Sequence, residues 1–173
     1  MFTIEAFSYC PCCAHTLTKE SSVLLQCPQC SFRFYQSPKP AVAVLIKNKK
    51  GELLLSRRNI EPHKGTLELP GGFVDPDETF EKAIIREVFE ELGIHIQKSD
   101  LHYFTSVTGD YIYQDITYKV VFPVYSITLE ETPTFKQDER EIQNIAFYHT
   151  KEIDPEEIGL MGDREAVRQY LSL

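Results

Sequence analysis

Gly72-x5-Glu78-x7-Arg86-Glu87-Val88-x-Glu90-Glu91-x-Gly93-Ile94 is the stretch from which the rest of the chain can be ordered. Within it Ile85, Val88, Phe89 and Leu92 recur at spacings of three and four and Gly93 follows as a stop, which predicts an amphipathic helix over 78–92. Glu87, Glu90 and Glu91 stand at i, i+3 and i+4, so the three carboxylates share one face, expected opposite the apolar one. Such like-charge pairs cost roughly 0.2–0.5 kcal/mol each in an isolated helix, and only Arg86 is near enough to offset part of that. A hard divalent cation reverses the sign, because Mg²⁺ takes oxygen ligands and bridges carboxylates to substrate phosphates. A solvated acidic face is the plain alternative. Two neighbours favour the metal: Gly71-Gly72 lets backbone approach a ligand closely, and Glu78 can pair with Arg86 to hold loop and helix together.

Working outward, Ala41–Lys47 and Glu52–Ser56 read as a β-hairpin around Lys49-Lys50-Gly51, and Leu67–Leu69 as a short strand before the glycine pair. Downstream, strands are expected over 101–107, 111–113, 117–128 and 142–148. A last helix is expected over 164–171, with Asp163 as its N-cap. Upstream, Gln36-Ser37-Pro38-Lys39-Pro40 marks a boundary, dividing the chain into 1–36 and 37–173.

All five cysteines precede that boundary. Cys10-x2-Cys13 and Cys27-x2-Cys30 are separated by 13 residues, a spacing that delivers four thiolates to one tetrahedral zinc and resembles a zinc ribbon. With every ligand position filled by protein, such a Zn²⁺ is structural, and Cys12 is a spare thiol. A segment this short cannot fold on apolar burial alone, so the metal would supply most of its folding energy.

Composition narrows the function classes. The longest apolar run, Ala41–Ile46, is far below the roughly 20 residues of a membrane span. Residues 1–9 carry Glu5 and no Lys or Arg, unlike a signal peptide, so the expected location is the cytoplasm. A net charge of -8 disfavours a bare nucleic-acid backbone as partner.

The glutamate stretch is similar, position for position, to the Nudix box G-x5-E-x7-R-E-U-x-E-E-x-G-U, with U aliphatic. The resemblance implies an α+β fold, a Nudix α/β/α sandwich with a mixed sheet over 37–173, and an enzyme that hydrolyses a phosphoanhydride bond in a nucleoside diphosphate linked to another group. It implies Glu87, Glu90 and Glu91 as ligands of Mg²⁺ or Mn²⁺, with the Gly71 carbonyl as a further one, and Arg86 and Glu78 as the groups that orient them. It places the water-activating base either on an acid of this helix, Glu87 or Glu91 first, or on an acid of a downstream loop, and many relatives put a further acid, here Glu139 or Glu141, at the metal site. A ribbon ahead of the box resembles the NADH pyrophosphatases. Their Ser-Gln-Pro-Trp-Pro-Phe-Pro signature is replaced here by Ser106-Val107-Thr108-Gly109-Asp110-Tyr111, and the chain has no tryptophan. ADP-ribose or a related dinucleotide is therefore ranked above strict NADH specificity. Nucleoside triphosphate hydrolysis and a non-catalytic RNA- or ligand-binding role are the alternatives, and the resemblance also suggests a homodimer. Tyr103, Phe104, Tyr111, Tyr113 and Tyr118 are available to stack on a base, whereas Arg57 and Arg58 are read as solvated groups.

Overall fold

The computed structural model describes residues 3–173. After a short helix α1 (Thr3–Ala6), strands β1 (Thr18–Lys19), β2 (Leu24–Gln26) and β3 (Arg33–Tyr35) make a small antiparallel sheet of their own. The main sheet then takes β4 (Lys39–Asn48), β5 (Leu53–Arg58), β6 (Leu67–Glu68), β7 (Gly71–Phe73), β8 (His102–Tyr113), β9 (Ile116–Leu129) and β10 (Ile142–Tyr148). Two helices pack on it, α2 (Phe80–Leu92) and α3 (Met161–Leu171).

The order β10-β5-β4-β9-β8 is mixed: β4 runs parallel to β9 and antiparallel to β5 and β7. Because β4 is central, Ala41–Ile46 is buried on both faces, which is why it reads as a continuous apolar run rather than an alternation. The alternation survives in what each side chain touches. Ala41, Ala43 and Leu45 join the core that includes Ala166 and Val167 of α3, while Val42, Val44 and Ile46 join the core under Ala83, Ile84, Val88 and Leu92 of α2. The helices thus cover opposite faces, the α/β/α sandwich expected from the sequence. Among the described residues no helix is long and apolar enough to cross a membrane.

Four local expectations need correction. Helix α2 begins at Phe80, with Thr79 as N-cap accepting from the Lys82 N–H, so Glu78 lies in the preceding turn. Its buried stripe is Ala83, Ile84, Val88 and Leu92, and Phe89 is instead half-exposed and stacked on His95. The strands expected over 101–107 and 111–113 are one strand, carried through Gly109 by its pairing with β9. Helix α3 starts at Met161 with Leu160 in the cap position, and Asp163 sits inside its first turn with its carboxylate bonded elsewhere.

Candidate active site and cysteine cluster

Arg86 is the hub of the acid helix. Its guanidinium grips Glu78 with two parallel bonds, Nε to Oε1 and Nη2 to Oε2, both 2.8 Å. Nη1 donates to Glu87 Oε1 at 2.8 Å and to Glu90 Oε2 at 3.0 Å, and Nη2 donates to the Phe73 carbonyl at 3.1 Å. All five donors of the fork are engaged. The fork holds Glu78 at about 2, and Glu78 Oε2 also accepts from the Asp75 N–H. The turn before the helix is thereby tied to its first turns, as the spacing of Glu78 and Arg86 suggested.

The carboxylates differ in environment. Glu90 is exposed. Burial pushes Glu87 above the usual carboxylate range, although Arg86 pulls the other way. Glu91 is 9% exposed, not opposite the apolar face but at its edge, where its Oε2 accepts from the Gly71 N–H at 3.2 Å. Burial pushes Glu91 well above the ordinary range, with the charges of Glu68 and Glu87 adding. A third acid raises both: Glu141, the residue before β10. Glu141 lines the same cavity, whereas the backbone carbonyl of Glu139 accepts from Asn59 and Glu139 does not line it.

That cavity, about 760 Å³, is bounded by Glu87, Glu90 and Glu91 on α2, by Gly71 and Gly72, and by Glu141. A methyl group added at Gly72 would meet the Glu87 carboxyl carbon at 2.6 Å, so backbone and carboxylate lie flush. Gly71 has φ 151°, and a Cβ there would run into the β4 backbone at Val42 and Ala43. The glycine pair therefore sets two things: Gly71 the close approach to β4, Gly72 the room for an acid. Such a set of carboxylate oxygens suits a hard divalent cation. The three carboxylates do not converge on one point, however. Among the described residues the ligand atoms of three or more His, Cys, Asp or Glu lie within 4.8 Å of one another only at Cys10, Cys13, Cys27 and Cys30.

Those cysteines come from two matching knuckles. Cys10 N–H bonds the His15 carbonyl and Ala14 N–H the Cys10 carbonyl; Cys27 N–H bonds Phe32 and Ser31 N–H bonds Cys27 at the same offsets. Ala14 and Ser31 both take positive φ, 59° and 60°. Sγ–Sγ separations of 3.5 Å link Cys10 to Cys30, Cys13 to Cys27 and Cys13 to Cys30. A disulfide needs about 2.05 Å, so these are free thiols placed to hold a metal, and Cys12 stays exposed outside the set.

The same cavity is lined by groups the sequence reading missed. Arg58, expected to be solvated, is 8% exposed: its guanidinium bonds Glu68 and donates to the Pro62 carbonyl at 2.8 Å. Glu68 also accepts from Ser56 Oγ, and burial raises it despite Arg58. Asp163 is 4% exposed, and its Oδ2 accepts from the Leu69 N–H at 3.1 Å. Burial pushes it up to about 7, with the charge of Glu68 contributing. The one available sequence signal was that Arg58 and Glu68 stand near the ends of apolar strands. Of the aromatics, Tyr111 lines the main cavity and, with Phe73, Tyr113 and Tyr118, a smaller one of about 290 Å³ beside it. Tyr103 is exposed and Phe104 packs in the core against Tyr170.

Known proteins carry the same architecture. The chain is similar to the crystal structure of a NUDIX hydrolase from Nitrosomonas europaea, with a TM-score of 0.68 over 96% of this chain and 91% of that one, at 21% identity; this likeness concerns the fold. The NAD-capped RNA hydrolase NudC of Haemophilus influenzae is 35% identical over 106 residues, 60% of this chain and 39% of that protein. The ADP-ribose pyrophosphatase of Methanocaldococcus jannaschii is 44% identical over 63 residues, 36% of this chain and 37% of that protein. The matched stretches thus span less than two fifths of these curated relatives. The NUDIX domain model, by contrast, matches residues 37–170. With that match covering most of its length, the chain belongs to the NUDIX family.

Proposed function

We propose that the protein is a divalent-metal-dependent hydrolase of a phosphoanhydride bond in a nucleoside diphosphate derivative, with ADP-ribose or a related dinucleotide such as NADH as substrate. The observation that carries this reading is one cavity lined by Glu87, Glu90 and Glu91 together with the glycine turn that leaves room for them. Glu87, Glu90 and Glu91 would hold Mg²⁺ or Mn²⁺, with Gly71 beside them. When bound, such an ion neutralises charge on phosphate oxygens and makes water more acidic.

The chain's own residues supply the rest. Arg86 fixes the direction of Glu87 and Glu90, and Glu78 fixes Arg86. Glu87 and Glu91, both raised above the ordinary carboxylate range, are suited to accept the proton of the attacking water. The water oxygen bonds to one phosphorus as the bridging P–O bond breaks, and the bridging oxygen leaves with the other phosphate. ADP-ribose and water would give AMP and ribose 5-phosphate. In the N-terminal module, Cys10, Cys13, Cys27 and Cys30 would hold a structural Zn²⁺. Zn–S bonds of about 2.3 Å in a tetrahedron put sulfurs about 3.8 Å apart, near the separations found here.

The test is a panel of ADP-ribose, NADH, NAD-capped RNA, dinucleoside polyphosphates and nucleoside triphosphates, assayed for products with Mg²⁺ and Mn²⁺. The capped RNA is included because the Haemophilus relative is named for it, while the net charge of -8 leads us to expect no contact with the RNA body. Glu90→Gln should lower kcat on the preferred substrate by at least about 100-fold with an unchanged Tm. Full activity in that variant would overturn the assignment.

A further inference from the structure

Outside α2, two buried carboxylates line the cavity, Glu68 and Asp163. Glu68 uses both oxygens within the protein, one on Ser56 and one on Arg58. Asp163 uses one. Its Oδ2 takes the Leu69 N–H, while Oδ1 accepts no hydrogen bond from the described residues. No side-chain oxygen among those residues is both sealed from solvent and without a partner, so Oδ1 keeps open access to the cavity that Asp163 lines.

The carboxylate is held there firmly. A Cβ at Gly162 would meet the Phe122 ring at 2.6 Å, and one at Gly109 would meet the Gly162 nitrogen at 3.2 Å, so the first turn of α3 packs against β8 and β9 with no slack. It also shares one backbone segment and one cavity with Glu91. Asp163 hangs from the Leu69 amide and Glu91 from the Gly71 amide. Two amides so spaced are at most about 7 Å apart, and each hydrogen bond adds about 3 Å, so the two carboxylate oxygens lie within about 13 Å of each other, on the order of the span of one nucleotide. A lone carboxylate is a poor cation site, since hard divalent ions take six or more oxygens or keep most of their waters. Arg58, the nearby cation, is committed to Glu68 and Pro62. What remains is a single directed acceptor.

We infer that Asp163 Oδ1 accepts a hydrogen bond from a neutral donor on the nucleoside part of the substrate, a ribose hydroxyl or an exocyclic amino group. This inference rests on the nucleotide reading of the cavity, but not on hydrolysis. The ionised carboxylate is the better acceptor, and with Asp163 at about 7 it predominates at pH 8.

The test is calorimetric binding at pH 8 with Mg²⁺ of AMP, 2′-deoxy-AMP, 3′-deoxy-AMP and IMP, the last lacking the amino group. Wild type should bind at least one of the three analogues ~10- to 100-fold more weakly than AMP, the range for a hydrogen bond to a charged acceptor. The analogue that loses affinity identifies the donor. Asp163→Asn keeps an oxygen for the Leu69 amide but offers the cavity an amide N–H₂, so that same ratio should fall to about 1 while Tm does not drop. A role confined to tethering α3 would leave the ratio untouched. The inference is overturned if Asp163→Asn preserves the discrimination, or if wild type binds all four alike or binds none. Failure of the hydrolysis panel with the discrimination intact would refute the enzymatic reading alone.

Discussion

Replacing Gly72 by alanine isolates one acid from the rest of the fold. The φ of Gly72 lies outside the left-handed region, so alanine meets no backbone strain, and the three nearest atoms to the new methyl all belong to the Glu87 carboxylate, among them Cδ at 2.6 Å and Oε2 at 2.9 Å. Optimal carbon contacts begin near 3.5 Å, so the carboxylate has to retreat by about 1 Å. Glu87 is a jointed side chain and can do so cheaply, which predicts a Tm within about 3 °C of wild type. A metal ligand or base displaced by about 1 Å costs up to ~100-fold in rate. The assay is kcat and the Mg²⁺ concentration for half-maximal rate on the preferred substrate, beside thermal unfolding without metal. Gly71→Ala is the contrast, because its methyl strikes the β4 backbone and its φ of 151° disfavours side chains; it should lose stability outright. Wild-type kcat and Mg²⁺ dependence in Gly72→Ala would refute the placement of Glu87 at the reacting centre.

Three other outcomes follow from groups described above. Asp163 binds its proton more tightly folded, at about 7, than unfolded, near 3.9. Its contribution therefore favours the fold fully below about pH 4 and is lost as pH rises through 7; the Tm of Asp163→Asn relative to wild type should climb between pH 5 and 8, by the equivalent of a few kcal/mol at most. Arg58→Met leaves Glu68 buried without its partner, a loss of about 3–5 kcal/mol at pH 8 that shrinks at pH 5 as Glu68 takes up a proton; denaturant titration at both pH values measures it. Elemental analysis should find about one zinc per chain in wild type and much less in Cys27→Ser, and zinc-free wild type would contradict the ribbon reading.

The acid helix was legible because its information is local: the spacing of the acids, the apolar period and the stop lie within one continuous stretch. Its orientation was not. The stripes 85-88-89-92 and 83-84-88-92 share Val88 and Leu92, and only the position of the sheet decides that Ile84 goes under while Phe89 stays out. That rotation also carries Glu91 inward, where no propensity rule would put a glutamate. The central strand was recognisable as an unbroken apolar run, but β8 was read as two pieces because Gly109 looks like an interruption until β9 is beside it. Asp163 and Arg58 were misread for a related reason. The Asp163 carboxylate meets an amide 94 residues away, and Arg58 meets Glu68 across the β5–β6 pairing. Such encounters are made by topology, and an aspartate just ahead of a helical pattern resembles a cap until its true partner is known.

The segment Leu69-Pro70-Gly71 has two amide hydrogens, since proline has none. One goes to Asp163 on the layer above the sheet and the other to Glu91 on the layer below. The two helices are thus hinged on one peptide rung, and any tilt of it displaces both carboxylates together. Ion affinity and nucleoside preference should on that account drift in concert: variants selected for a new base or sugar should emerge with an altered magnesium requirement, even when no residue near the ion has changed.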